Sequence, residues 1–458
     1  MPTPEFATTR SAHGEAIEMA RIESIATKPA SEADRRNHTT DTNPGNHAVT
    51  EATERTQSAW HSSINRSRLS AVCLSSFLNG FSDAGAGAII PYVEEHYGIG
   101  YAVVSLIFVG QALGFIVAAF VLDSFRVKFG RATVLFVGNV SLICGSIPAA
   151  AAAPYPFIPI SFFFVGFGAA INMALGNIFC GGLRNGTLIL GILHGFYGIG
   201  GTISPLIATA IVGAANATWS TFYLVPLGIS LCTLLSSVWV FRDYERELDP
   251  GARENEMTAT SASVLSSILA TLRMRLVLSG AIFIFAYQGA EVSISGWVIS
   301  FLIEARDGDP AKVGNVTAGF WAGITVGRFV LSAPAQRWGE KSFVYGFTVI
   351  AFALQLLVWL VPNVIGNAVA VSVVGLMLGP VYPCAAAVFM RNMTRREALR
   401  GMVTISAFGS LGGAVAPFFT GLLAQLSGTF VLHPIVMFLM AVMLVCWYGI
   451  PQRPKREE

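Results

Sequence analysis

Three formally charged residues, Asp83, Glu291 and Arg328, lie well inside long apolar stretches of the sequence, and His194 lies in another such stretch. Most of the 29 basic and 27 acidic residues fall instead in polar segments or at the two chain ends. A charged side chain at the centre of a bilayer costs at least about 2.5 kcal/mol, so such residues usually face a cavity or a partner. They are the first candidates for binding a proton or a solute.

Asp83 and Glu291 have the surroundings expected of carboxylates that exchange protons. Asn79 stands one helical turn before Asp83, and Tyr287 and Gln288 stand one turn before Glu291. A carboxylate in an apolar setting can bind and release a proton as its access to water changes. The alternative for each acid is a buried hydrogen-bonding role in the structure.

Polar and aromatic groups in the apolar stretches are suited to lining a solute cavity, although core packing is the alternative for each. They are Asn79, Asn172, Asn177, Tyr197, Tyr287, Gln288, Trp321 and Tyr382. His194, one turn before Tyr197, is a candidate proton relay or a hydrogen-bonded packing residue. Arg328 falls in the cytoplasmic third of its predicted helix, which favours a gate or structural role.

Long apolar elements must position these residues, and such elements recur along most of the chain. Hydrophobic residues make up 53% of the 458 residues and charged residues only 12%, which excludes a water-soluble surface. Runs of roughly 20 apolar residues fit membrane-spanning helices, and they lack the two-residue alternation of barrel strands. We predict spans near residues 69–93, 102–122, 132–153, 157–180, 187–213, 220–241, 275–303, 312–333, 342–361, 365–390, 401–426 and 430–449. The predicted fold is an all-α membrane protein with twelve transmembrane helices in two pseudo-symmetric six-helix bundles.

The longest internal polar stretch divides the predicted helices six and six. We predict a disordered cytoplasmic N-terminal tail over 1–67, a six-helix bundle over 68–241, a cytoplasmic linker over 242–274, a second bundle over 275–450 and a cytoplasmic C-terminal tail over 451–458. The halves repeat each other, since Phe196, Gly200, Gly201 and Pro205 recur in the same spacing within residues 408–417. Paired six-helix repeats are typical of transporters that rock two bundles about a central site.

The distribution of basic residues predicts the orientation in the membrane. Most Lys and Arg residues between the spans fall in loops assigned to the cytoplasm, whereas the opposite loops carry only Arg306 and Lys312. Both termini are therefore expected in the cytoplasm, and the plasma membrane is the expected location of a monomer. The sequence has no HExxH, GxSxG, Walker or Rossmann pattern, so we expect no enzyme, ATP-driven pump, cofactor, metal or nucleic-acid partner.

Six segments together resemble the major facilitator superfamily over about residues 68–450, and within it the fucose-permease-like proton symporters and fungal transporters of the bypass-of-stop-codon type. They are FLNGFSDAGAGAIIPYVEEHY (77–97), KFGRATVLFVGN (128–139), LHGFYGIGGTISP (193–205), YQGAEVSISGWVISFL (287–302), GFWAGITVGRFVL (319–331) and GLMLGPVYP (375–383). The resemblance implies alternating access between two six-helix bundles. It also places Asp83 where the sugar symporters keep a proton-linked aspartate.

The resemblance further implies a cytoplasmic gate in the loop after the second span. Its residues are Asp123, Lys128, Gly130 and Arg131, with Arg328 as a further candidate. Asp123 stands one helical turn earlier than the acid of the family motif, and Ala119 replaces the usual glycine. The gate therefore departs from the family pattern at its acid.

The solute remains open at the level of sequence. The glutamate that the sugar symporters carry on helix 4 is missing, with Asn172 in that neighbourhood, which weakens the case for a sugar. The expected function is secondary active transport of a small organic solute by alternating access, coupled to protons. One alternative is an efflux pump for a toxin or secondary metabolite, and another is a nutrient receptor that keeps the fold without moving solute.

Overall fold

The computed structural model describes residues 58–60, 62–184, 186–215, 217–244 and 270–450. The predicted C-terminal tail and most of the predicted N-terminal tail and linker lie outside the described residues, as does the side chain of Asp123. Within the described residues every regular element is a helix. The first helix begins at Ser63, ahead of the predicted start near residue 69.

The helices follow one another through short connections. They are α1 (Ser63–Tyr97), α2 (Tyr101–Val104), α3 (Leu106–Ala150), α4 (Phe157–Gly181), α5 (Gly186–Thr209), α6 (Leu224–Phe241), α7 (Arg275–Arg306), α8 (Pro310–Val313), α9 (Asn315–Val330), α10 (Ser332–Trp338), α11 (Glu340–Leu360), α12 (Val364–Leu378), α13 (Val381–Asn392), α14 (Arg395–Ser427) and α15 (Leu432–Tyr448). A π-helical turn, Ala210–Ala214, follows α5, and short 3-10 turns, Trp219–Tyr223 and Thr429–Val431, precede α6 and α15. Lipid offers the backbone no hydrogen-bond partner, so apolar stretches of this length satisfy their own groups as helices.

Ten helices of the described residues are long and apolar enough to cross a membrane. They correspond to ten of the predicted spans, so the all-α membrane fold is confirmed. The remaining two predicted spans correspond to α1 and α9, which carry Asp83 and Arg328. Polar and charged residues lower the apolar character of the 35-residue α1, and α9 has only 16 residues. The count of twelve stays a prediction.

Glycines mark the points where two of the long helical stretches change direction. Gly130 adopts φ +77° inside α3, a backbone conformation that residues with a Cβ rarely adopt, so two helical segments join there. The predicted span 365–390 is divided between α12 and α13 at Gly379 and Pro380. Proline lacks a backbone donor and clashes with the preceding helical turn, which ends α12.

Two glycines let α1 and α5 pack backbone against backbone. A Cβ built at Gly200 would lie 2.1 Å from the backbone oxygen of Phe77, and one at Gly80 would lie 1.9 Å from that of Tyr197. Both distances are far shorter than atomic contact, so no larger residue fits without moving a helix. The distance between α1 and α5 is therefore set by these glycines.

We expect Gly200→Ala to force α1 and α5 apart, because the backbone it would meet cannot yield, and to destabilise the protein by about 1–3 kcal/mol. Gly191 is the matched control on α5, since a Cβ there meets nothing within 4 Å. Gly191→Ala should be neutral or stabilising by up to about 1 kcal/mol, the helix-propensity gain of alanine. Thermal denaturation of both variants in detergent checks this. Equal melting temperatures would contradict the packing described for α1 and α5.

The N-terminal half (α1–α6) and the C-terminal half (α7–α15) meet closely where α1, α7 and α14 finish, which we call the Tyr97 end. The Tyr101 hydroxyl donates to Glu304 Oε2 at 3.1 Å across the halves. A Cβ at Gly87 of α1 would lie 2.0 Å from the backbone oxygen of Ser295 of α7. The halves are therefore tightly packed at this end, which the loop charges predict to be extracellular.

Two carboxyl groups from different halves lie at the Tyr97 end. Glu94, just beyond the predicted span 69–93, has a buried Oε1 without a hydrogen-bond partner. Burial, and secondarily the negative charge of Glu304, raises the pKa of Glu94 from 4.5 to about 8. Glu94 is therefore protonated in the packed state over a pH range in which the same carboxyl group, once exposed to water, would be ionised. The stability of the packed state falls as the pH rises from 4.5 towards about 8.

We expect the melting temperature of the wild-type protein to fall across this pH range and that of Glu94→Gln to fall less, because glutamine has no proton to lose. Thermal denaturation in detergent at a series of pH values measures both. Glu95→Gln, a change at the exposed neighbour, should behave as the wild type. Parallel curves for the wild type and Glu94→Gln would show that Glu94 does not titrate between the two states.

Candidate functional site

Asp83 accepts two short hydrogen bonds from side chains of other helices. Gln111 Nε2 donates to Oδ1 at 2.6 Å, and the Tyr197 hydroxyl donates to Oδ2 at 2.6 Å. The donors belong to α3 and α5, so this carboxylate joins three helices of the N-terminal half. Hydrogen bonds to an ionised acceptor are roughly twice as strong as neutral ones, so the geometry suits an Asp83 that has given up its proton.

Gln111 was not among the residues that the sequence singled out. The available signal was a polar residue between Gly110 and Gly114 in an otherwise apolar run. Cβ atoms at these two glycines would each lie 2.1 Å from the backbone oxygens of Pro159 and Phe163. The glycine face of α3 therefore packs against α4, and Gln111 extends to α1.

Glu291 and Arg328 form a buried ion pair in the C-terminal half. Arg328 Nη2 lies 3.8 Å from Glu291 Oε1, and the two side chains are 20% and 8% exposed, respectively. Glu291 Oε2 and the Tyr287 hydroxyl are buried and lack hydrogen bonds of normal geometry. An unsatisfied buried polar atom is costly in free energy. These two oxygens are therefore positions that would accept a hydrogen bond from a hydroxyl or amine of a solute.

The sequence interpretation gave Arg328 a gate or structural role and grouped it with the cytoplasmic gate. The structure places its guanidinium beside Glu291, whereas the Arg131 guanidinium packs on the Tyr244 ring. The physical reason is the cost of an unpaired carboxylate in the interior, which amounts to several kcal/mol. The long arginine side chain extends from near the end of α9 to offset that cost.

Tyr197 and Trp321 connect the two acidic groups across the halves. Their rings lie 5.9 Å apart, edge to face. Trp321 Nε1 donates to Ser295 Oγ at 2.8 Å, and Ser295 stands one turn after Glu291 on α7. A line of contacts thus runs from Asp83 to Glu291. We call it the carboxylate network, and its members are Asp83, Gln111, Tyr197, Trp321, Ser295, Glu291 and Arg328.

A small polar cavity lies between α1, α4 and α5, one turn nearer the start of α1 and α5 than Asp83 and Tyr197. Its lining consists of Val72, Ser76, Asn79, Asn172, Met173, Asn177, Leu193 and His194. The structure therefore brings four predicted residues, Asn79, Asn172, Asn177 and His194, to one place beside the carboxylate network. We call this space the N-terminal cavity.

Three further predicted cavity residues belong to the C-terminal half, and two of them, Tyr287 and Gln288, stand one helical turn before Glu291 on α7. The rings of Tyr287 and Tyr382 lie 6.1 Å apart. Gln288 lies against α14, where a Cβ at Gly409 would be 2.1 Å from its Oε1. Of the three, Tyr287 interacts electrostatically with both members of the ion pair, without a hydrogen bond of normal geometry to either.

The predicted gate residues lie at the opposite end from Tyr97, where α3 bends at Gly130. The buried Arg131 guanidinium lies 4.5 Å from the centre of the Tyr244 ring, just after α6. Lys128 Nζ lies 5.2 Å from the centre of the Phe129 ring. With the Asp123 side chain outside the described residues, the gate as a unit stays a prediction.

In the part of the chain that the structure describes, no group of three or more His, Cys, Asp or Glu side chains is arranged to hold a metal ion. The groups present at the site are carboxylates, a guanidinium, hydroxyls, amides and an imidazole. Such groups bind protons and polar solutes.

The family model of the Major Facilitator Superfamily matches residues 72–307 and 289–458 of this chain. Bypass of stop codon protein 6 from Saccharomyces cerevisiae is 26% identical over 405 residues, covering 83% of this chain and 81% of the relative. The glucose/galactose transporter of Brucella abortus biovar 1 is 23% identical over 351 residues, covering 71% of this chain and 79% of the relative.

The crystal structure of the E. coli fucose:proton symporter matches the fold with a TM-score of 0.59 at 15% identity. The match covers 84% of this chain and 98% of the symporter. Together with the yeast relative, it confirms the resemblance to fucose-permease-like and bypass-of-stop-codon-type proteins. The chain belongs to the major facilitator superfamily and is a multi-pass membrane transporter.

Proposed function

We propose that this chain is a proton-coupled secondary transporter that moves a small organic solute by alternating access of two six-helix bundles. The observation that carries the proposal is the position of Asp83. Its carboxylate is held by Tyr197, and the Tyr197 ring contacts Trp321 of the C-terminal half. A change in the charge of Asp83 therefore acts directly on a contact between the halves.

Protonation of Asp83 changes the hydrogen bonds that fix Tyr197. The ionised carboxylate accepts from Tyr197 and Gln111, whereas a protonated carboxyl group is itself a donor and a weaker acceptor. Tyr197 then reorients against Trp321, which alters the packing at the boundary of the halves. A proton shifts a conformational equilibrium only if the protein binds it with different affinities in the two conformational states. The contact between Tyr197 and Trp321 supplies such a difference.

The C-terminal half supplies polar atoms for the solute. Glu291 Oε2 and the Tyr287 hydroxyl make no hydrogen bond of normal geometry, and the aromatic rings nearby offer apolar faces. Because Arg328 balances the charge of Glu291, the site favours a neutral polar solute over an ion. The name of the Brucella relative makes hexoses the first solutes to try, although Asn172 stands near the position where sugar symporters have a glutamate.

We propose that twelve helices span the membrane. Two of them, α1 with its polar residues and the short α9, are additional to the ten apolar spans. The arrangement of basic loop residues supports cytoplasmic termini. We place the protein in the plasma membrane as a monomer. Asp123, Lys128, Gly130 and Arg131 are proposed to close the cytoplasmic end during the cycle.

An untargeted comparison of metabolites inside and outside cells that overexpress or lack the protein tests the function. Depletion of a compound from the medium by overexpressing cells, stronger at acidic external pH, is the result expected for proton symport. Accumulation of a compound outside would favour the efflux of a toxin or secondary metabolite. Identical metabolite profiles, with the protein present in the membrane, would overturn transport in favour of a receptor role.

A further inference from the structure

The N-terminal cavity presents buried amide oxygens without partners. Asn79 and Asn172 are only 2% and 3% exposed. The Oδ1 atoms of Asn79, Asn172 and Asn177 are all buried and make no hydrogen bond. Each such unsatisfied atom costs about 1–3 kcal/mol. Their clustering in one small cavity points to a bound hydrogen-bond donor.

The orientation of two of these amides is fixed by neighbouring helices. Asn79 Nδ2 donates to the backbone oxygen of Ala169 at 3.3 Å. Asn172 Nδ2 donates to Asn139 Oδ1 at 3.2 Å, and Asn139 Nδ2 donates to the backbone oxygen of Leu135 at 2.8 Å. These bonds hold the two amides in place, so the unpartnered Oδ1 atoms of Asn79 and Asn172 are acceptors available at the cavity.

The size and charge of the cavity favour water as the occupant. Its volume, taken as the space open to the centre of a water molecule, is about 10 Å³, far below the roughly 300–1,000 Å³ of pockets for organic ligands. On this measure a cavity needs roughly 10–15 Å³ to hold one water molecule, so the space suits a single water at most. The lining includes no carboxylate, so a divalent cation would lack the ligands it prefers. Water satisfies such acceptors in buried polar cavities.

His194 is the titratable residue that lines this cavity. Its ring makes no hydrogen bond to another described residue. Asp83 and Tyr197 lie one helical turn further along α1 and α5 than Asn79 and His194, about 5 Å at the usual helical rise. The lining therefore ends one helical turn short of Asp83 and Tyr197, neither of which is part of it.

The charged groups that face this region come from both halves. Arg328 of α9 acts electrostatically on His194, and Glu291 of α7 acts on Asp83 and Tyr197. Arg328 is itself paired with Glu291. Arg328 therefore presents His194 with a positive charge that Glu291 partly compensates.

We propose that the N-terminal cavity holds water and carries protons between Asp83 and the end of the molecule where α5 begins, with His194 as the relay. The proton of the Asp83 carboxyl group passes to the Tyr197 oxygen as the hydroxyl proton of Tyr197 passes to a cavity water. That water gives its excess proton to a ring nitrogen of His194, which releases it towards the start of α5. Asp83 ends ionised and His194 neutral. This inference rests on the proposed function and supplies the route by which Asp83 loses its proton.

The hydration of the cavity is measured first, without any solute. In full-length protein labelled with 15N-histidine in lipid nanodiscs, NMR measures the exchange of the His194 ring proton with water, and His194→Gln assigns its signal. We expect exchange in the wild type and slowing of about fivefold or more in Asn172→Leu, in which an apolar side chain displaces water that donates roughly one net hydrogen bond to the Asn172 amide oxygen. Asn79→Leu is a second filling variant. Ser161→Ala, a buried change on α4 outside the cavity lining, is the control.

Absence of exchange in the wild type, or equal rates in the wild type and both leucine variants, would overturn the proposal. The relay is then tested in proteoliposomes with D-galactose, or with the solute that the metabolite comparison identifies. The rate of uptake should depend on internal pH in the wild type and in Ser161→Ala, and this dependence should be lost in His194→Gln. Persistence of the dependence in His194→Gln would overturn the route alone. Persistence of proton-driven uptake in Asp83→Asn would overturn the proposed function as well.

Discussion

Replacement of Asp83 by asparagine should abolish proton-driven accumulation of the solute. One proton charge moving through 100 mV supplies about 2.3 kcal/mol, enough to concentrate a neutral solute about fiftyfold. Without a carboxylate to carry the proton, the ratio of internal to external solute should fall to about one, the value at equilibrium without coupling. Asparagine retains the size of the side chain and an oxygen that accepts from Gln111 or Tyr197, so the helices should stay in place. Accumulation in vesicles under an imposed pH gradient and potential measures the effect.

Asp309 offers a matched acid-to-amide control. It is 49% exposed and pairs with Lys312 at 3.2 Å, an arrangement whose loss costs little. Asp309→Asn should therefore accumulate solute as the wild type does. Undiminished gradient-driven uptake in both Asp83→Asn and Glu291→Gln would show that neither carboxylate carries the coupling.

The helical architecture could be predicted because lipid constrains the backbone more strongly than side chains do. Every apolar run of sufficient length had to satisfy its own hydrogen bonds, so composition alone located the spans now described by α3 to α7 and α11 to α15. The same reasoning was weaker for α1 and α9. Polar residues lower the apolar character of α1, and α9 is short. These two helices carry Asp83 and Arg328.

The partners of the predicted acids could be found only in part. Asp83, Glu291 and Tyr197 were recognisable because polar groups are rare in apolar helices. The hydrogen bond between Asp83 and Tyr197 was not, since it joins residues far apart in sequence and depends on the close approach at Gly80 and Gly200. Helix spacing of this kind follows from the packing of backbones, which a single sequence does not specify.

The ion-pair partner of Arg328 could not be predicted, for a related reason. Counting residues along a helix gives the position of a Cα atom, whereas a guanidinium at the tip of a long side chain lies wherever its charge is best compensated. The buried carboxylate of Glu291 provides that place. Pairing between halves at the Tyr97 end, as between Tyr101 and Glu304, had no counterpart in the sequence pattern at all.

Removal of Arg328 alone should be the most destabilising single change in the carboxylate network. Arg328→Met leaves Glu291 charged and 8% exposed without its cation, and breaking a buried pair in this way typically costs about 3–5 kcal/mol. The double variant Glu291→Gln/Arg328→Met removes both charges, so it should recover most of the lost stability and still lack transport. Thermal denaturation in detergent ranks the variants, with vesicle uptake as the second readout.

The comparison with a surface pair separates burial from charge. Lys312 and Asp309 are 84% and 49% exposed, so Lys312→Met should cost about 0–1 kcal/mol. If Arg328→Met were as stable as Lys312→Met, the ion pair would contribute nothing to the fold. If the double variant were as unstable as Arg328→Met, the loss would come from packing around the arginine stem and not from a stranded carboxylate. Recovery in the double variant together with lost uptake would mean that the pair is kept for transport, because an uncharged interior is no less stable.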